Sequence, residues 1–325
     1  MTLIRSRILH SRLFKPVVLA ALVAAAVTVN AEVPRSSTKP PVPLLWKVSD
    51  ADNSVYLLGS FHLLKPTDYP LSVDVDAAFK DAESLVFEMT PEEMSSPALA
   101  MQMGQAALRT DGTTLNSELS PETIALLDKW LADNAADLQK MGLAPQVLQM
   151  FEPWFVGLTI SITEMTKQGL DPKLGLDAHL AAQAGKAGKP TAGLETGAQQ
   201  IAFLDGMGKQ EQLQFLAEAL SQSKDAKAET AKLHSAWRQG NAELLWNDMA
   251  VKMKQEYPGL YQRINVARND AWVPRIQKRL TDAGTDDTLV VVGALHLLGP
   301  DGVVEKLRAK GYKVERVCSA CASGR

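Results

Sequence analysis

The 325-residue chain has only two cysteines, Cys318 and Cys321, near its C-terminus. A disulfide framework holding a small fold together is therefore excluded. Aromatic residues make up 6%, so the core must be built mainly from Leu, Val, Ile, Ala and Met. There is no basic excess: 34 Lys and Arg stand against 37 Asp and Glu. That balance argues against a nucleic-acid partner. The metalloprotease helix signature H-E-x-x-H is absent, which excludes a zincin-type site. Hydrophobic residues at 46% and charged residues at 22% fit a folded globular chain, not a disordered one.

Long apolar runs are also scarce. One follows Arg5, Arg7, Arg12 and Lys15, from Val17 to Val29, and ends at Val29-Asn30-Ala31. Basic start, short apolar centre and small residues before a cut are the three parts of a secretory signal. The run falls short of the ~20 residues a bilayer helix needs. No cysteine follows it, so a lipoprotein anchor is not expected there. Residues 1–31 thus read as a signal peptide, and the mature chain as periplasmic or secreted, with no stable membrane anchor after cleavage. Residues 32–43, with Pro, Ser and Lys, read as a flexible leader. The C-S-A-C pair in the tail, residues 318–325, reads as a local disulfide in an oxidising compartment.

Between leader and tail, strand and helix signals alternate. Strands are expected at 44–48, 54–58, 84–87, 191–194, 289–292 and 312–317. The first two are joined by the turn Ser49-Asp50-Ala51-Asp52-Asn53. Thr90-Pro91, Ser120-Pro121 and Ala144-Pro145 read as helix starts. The alternation predicts an α/β fold: a mixed sheet with parallel strands, flanking helices and a large helical insertion, at about 92–170 and 198–257. The helical part is expected to shape substrate access.

One element occurs twice. Val55-Tyr56-Leu57-Leu58-Gly59-Ser60-Phe61-His62-Leu63-Leu64 aligns without gaps to Leu289-Val290-Val291-Val292-Gly293-Ala294-Leu295-His296-Leu297-Leu298. Each is an apolar strand, then Gly, two residues and His. Ligands of open α/β sheets bind beyond the carboxyl ends of the strands. The repeat therefore delivers two imidazoles to one edge. Glu88 and Glu195 each end a short strand and reach the same edge. His62, His296, Glu88 and Glu195 form a first shell suited to a divalent transition metal. The same groups could do acid–base chemistry without one. Asp177 reads as a helix cap or as a partner of that shell. Arg268 reads as a group that orients a carboxylate or stabilises an oxyanion, or else as a solvated helix residue. His179 and His234 read as ordinary helix residues.

At these residues the chain resembles the TraB/GumN family. The resemblance spans roughly 44–317 and rests on Trp46-Lys47-Val48, both G-x-x-H elements, Glu88, Gly175-Leu176-Asp177, Leu194-Glu195-Thr196, Arg268-Asn269 and Gly311-Tyr312. The family is similar to the Tiki proteins, metal-dependent proteases active with manganese or cobalt, and more distantly to erythromycin-esterase and ChaN-like proteins. The resemblance implies a hydrolase-like site at His62, Glu88 and His296, with Glu195 and Arg268 beside it. The expected function is a metal-dependent hydrolase, a peptidase acting on a peptide or protein, with manganese or cobalt ahead of zinc. Glu88 would be ligand or general base. The alternatives are a non-catalytic haem-, metal- or peptide-binding protein and a metal-independent esterase.

Overall fold

The computed structural model describes residues 39–282 and 284–322; the signal peptide expected at 1–31 lies outside them. Six strands form one sheet: β1 (Leu45–Ser49), β2 (Ser54–Ser60), β3 (Ser84–Phe87), β4 (Thr191–Gly193), β5 (Thr288–Gly293) and β6 (Lys313–Arg316). Their spatial order is β4-β3-β5-β2-β1-β6. β4, β3, β5 and β2 run parallel, and β1 runs antiparallel to both β2 and β6. The fold is α/β with a mixed sheet.

Local chemistry explains the elements. The β1–β2 turn is held by Asp50 Oδ1, which accepts the N–H groups of Asp52 and Asn53. β2 and β5 are apolar along almost their whole length and are buried at every position, as central parallel strands should be. Each fully buried Leu or Val there contributes about 1.5–3 kcal/mol relative to exposure. Thr90 and Ser120 cap their helices through their hydroxyls, each followed by Pro at the first position.

Three features differ from the sequence expectation. Ala144-Pro145 opens a 3-10 turn, Pro145–Met150, and the α-helix follows at Pro153–Lys167. The leader expected to be free to Pro43 packs earlier: Pro41 and Pro43 are buried, and the Val42 N–H donates to Arg238 O. The span 198–257 divides between two cores. Helix Lys209–Ser223 packs on Pro153–Lys167 in a helical core around Trp154, Phe155, Leu127 and Leu216. Ala236, Trp237 and Leu245 instead join the core of the sheet. Among the described residues no helix is long and apolar enough to cross a membrane.

Candidate functional site

The four parallel strands end together, and each delivers one residue to the common edge. β2 leads to His62, β3 to Glu88, β4 to Glu195 and β5 to His296.

His62 is fixed from behind. Ser60 Oγ donates to Asp177 Oδ1 at 2.7 Å, and His62 Nδ1 lies 3.1 Å from the same oxygen. Asp177 stands in the first turn of helix Leu176–Ala187, where Gly175 is the cap, so it is a partner of His62 and not the cap. Gly175 permits this approach: a Cβ there would lie 2.2 Å from His62 O. The His62 side chain is 51% exposed. Desolvation opposes its charge, but Asp177 and Glu88 outweigh it and push the imidazole up to about 9.

Glu88 sits at the centre. Its Oε1 accepts the Gly293 N–H at 2.8 Å and lies 3.8 Å from His62 Nε2 and 3.9 Å from His296 Nε2. Its Oε2 accepts from Arg268 Nη2 at 2.7 Å and from Gln200 at 3.2 Å. Burial would raise this carboxyl, but the Arg268 charge, with the two imidazoles, holds it well below the usual carboxylate range.

His296 ends a 3-10 turn, Ala294–His296, and its side chain is 10% exposed. Its Nδ1 donates to Asn269 Oδ1 at 2.8 Å, and its Nε2 lies 3.1 Å from Arg268 Nη1. Burial, helped by the charges of Arg268 and His62 against the pull of Glu88, pushes it down to about 3. His296 is therefore neutral.

Arg268 is buried, not solvated: its side chain is 11% exposed. Besides Glu88 and His296 it holds Glu195 through Nε at 3.1 Å and Nη2 at 2.5 Å. Glu195 also accepts from Trp272 Nε1 and Gln200. Glu195 thus serves Arg268 rather than either imidazole. The sequence reading missed Asn269 and Gln200; Asn269 follows Arg268 directly and was visible as Arg268-Asn269. His234 pairs with the buried Asp68 at 2.8 Å, and His179 stacks on Tyr69 with ring centroids 4.4 Å apart. Neither joins the site. Cys318 and Cys321 form a disulfide beside Ser319, whose N–H donates to Asp74.

The set has the donor types of a divalent transition-metal site. Both imidazoles are held at Nδ1 by an oxygen and present Nε2 to one carboxylate oxygen, the usual outer-shell support of metal-ligating histidines. Gly293 cradles the gap: a Cβ there would lie 3.2 Å from both Glu88 Oε1 and His62 Nε2. Among the described residues, however, no group of three or more His, Cys, Asp or Glu side chains stands ready to hold a metal. Arg268 Nη1 lies 3.1 Å from Nε2 of His296.

The TraB/PrgY/gumN family model matches residues 44–316. Uncharacterized protein YbaP of Escherichia coli (strain K12) is 26% identical over 253 residues, which cover 78% of this chain and 87% of that protein. The protein of that name from Shigella flexneri matches to the same extent. No solved structure matches the chain.

Proposed function

The chain belongs to the TraB/PrgY/gumN family, and from that premise we propose that it is a metal-dependent hydrolase of peptides, with His62, Glu88 and His296 as its reacting face. The observation that carries this reading is the shared oxygen: Glu88 Oε1 lies within 4 Å of both imidazole Nε2 atoms. These three atoms would hold the ion, manganese or cobalt ahead of zinc. Such an ion, when bound, supplies a water of lowered pKa and polarises the scissile carbonyl. The chain's own groups do the positioning. Asp177 and Asn269 fix the two rings, and the Gly293 N–H with Arg268 fixes the Glu88 carboxylate. His62 forms the open side of the site, so substrate enters there. The signal-like residues 1–31 support an exported location; N-terminal sequencing of the mature protein should begin at Glu32.

A specific observation favours a second reading, hydrolysis without metal. His62 and Asp177 already form an imidazole–carboxylate pair, and the charged ring can donate a proton to a leaving group. Metal analysis of tag-free protein, with peptide and ester assays before and after chelation, separates the two. Stoichiometric metal and chelator-sensitive peptide cleavage support the first. Chelator-insensitive turnover supports the second. No turnover of either substrate, with a bound ligand, would replace both with a binding protein.

A further inference from the structure

The arrangement around His296 carries a consequence for metal loading, and it rests on the metal reading above. The Asn269 amide is oriented by its Nδ2, which donates to Asp301 O at 2.8 Å. That leaves Oδ1 facing His296 Nδ1, which must carry the proton. A neutral imidazole has one lone pair, so the only acceptor of His296 is Nε2. Arg268 Nη1 already takes it, at 3.1 Å. Arg268 also holds Glu88 Oε2, and it lies near the rings of Trp272 and Phe203, 4.8 and 5.6 Å from their centroids.

We propose that Arg268 is the resident cation of this site and competes directly with a metal ion for the Nε2 lone pair of His296. Loading then requires the planar guanidinium to turn as a unit away from His296, with Glu195 as its remaining carboxylate partner. Glu195 is in this scheme the retaining partner of the displaced guanidinium, not a metal ligand. Arg268 sets the affinity of the site, and His62 Nε2 and Glu88 Oε1 are the two donor atoms that it does not hold.

The test is calorimetric titration of the chelator-treated full chain with manganese and cobalt chloride, for wild type, Arg268→Gln and Arg268→Lys. The visible spectrum of the cobalt form reports nitrogen ligation. Arg268→Gln should bind at least tenfold more tightly, with a nitrogen-ligated spectrum. Arg268→Lys, which keeps the charge but lacks the fork, should also bind more tightly than wild type. Circular dichroism checks the fold of each variant. A readout needing no variant is the Arg268 Nη1–H resonance of wild type, recorded at low temperature, which should shift in step with zinc titration. Wild-type-like affinity in Arg268→Lys beside tighter Arg268→Gln would assign the effect to charge alone and overturn the competition. Weaker binding in both variants would make Arg268 a support of the metal and overturn it too. An unmoved Arg268 resonance at full loading would do the same. Absence of binding in all three proteins would remove the metal reading itself.

Discussion

The two G-x-x-H elements share ten aligned positions yet end in opposite environments. His62 is half-exposed, backed by a carboxylate and charged; His296 is buried, backed by an amide and neutral. Part of the reason is register. β2 and β5 are neighbours, but Gly59 pairs with Val292 and Ser60 with Gly293, so the repeat is staggered by one residue. A one-residue stagger places equivalent strand residues on opposite faces. The rest comes from elements outside the repeat: helix Leu176–Ala187 supplies Asp177, and helix Ala267–Thr281 supplies Asn269 and Arg268. Repetition places an imidazole at the edge; the neighbours choose its charge.

The comparison can be broken at its shared member. Glu88→Gln removes the charge that both imidazoles and Arg268 face. Hydrolysis should fall by about 10²–10⁴-fold with the fold retained, measured as kcat/KM beside circular dichroism. Activity within tenfold of wild type would remove Glu88 from the reaction. A smaller effect should separate the two histidines. His296→Ala and His62→Ala should each cost about 10²-fold in activity. Only His296→Ala should lower stability strongly, by about 2–4 kcal/mol in urea unfolding. It empties a buried site and strands Asn269 Oδ1. His62→Ala should stay within about 1 kcal/mol of wild type, because its ring faces solvent. Equal stability losses would contradict the contrast.

A third change converts one environment into the other. Asp177→Asn gives His62 the neutral support that His296 has. The His62 midpoint, followed by NMR in chelator-treated protein, should fall from about 9 toward the ordinary 6.5. The mildest test is the pH profile of stability. His62 is raised from 6.5 to about 9, so its contribution is full below 6.5 and is lost as pH rises toward 9. His296 is lowered from 6.5 to about 3, so its contribution is full above 6.5 and is lost as pH falls toward 3. Urea midpoints should therefore decline on both sides of pH 6.5. His62→Ala should flatten the alkaline side and His296→Ala part of the acid side. Unchanged profiles in both variants would show that neither ring titrates differently on folding.

Much of this site was legible because its members stand at strand ends. An apolar run followed by Gly-x-x-His, or closed by Glu88 or Glu195, announces both the strand and the edge. The duplication identified the two histidines without the fold. Charge was not legible, because the partners Asp177 and Asn269 come from helices with no spacing relation to either motif. The role of Arg268 was open for the same reason: a helical arginine reads as solvated until the packing is known. Pro145 misled because Pro opens a 3-10 turn as readily as an α-helix; both leave the first N–H groups unpaired. The early packing of Pro41 and Pro43 depends on Arg238 and Trp237, brought close only by tertiary structure.

The position of β5 has a consequence for assembly order. β2 and β3 never pair with each other; β5, from near the end of the chain, lies between them. A chain cut before Thr288 keeps His62, Glu88, Glu195 and Arg268 but has nothing to hold the first two side by side. The edge-covering strand β6 comes later still, closing the hairpin of β1 and β2. Contacts this distant in sequence form slowly. The edge that carries His62 and Glu88 is therefore assembled only once β5 has joined both of their strands, late among the contacts of the sheet.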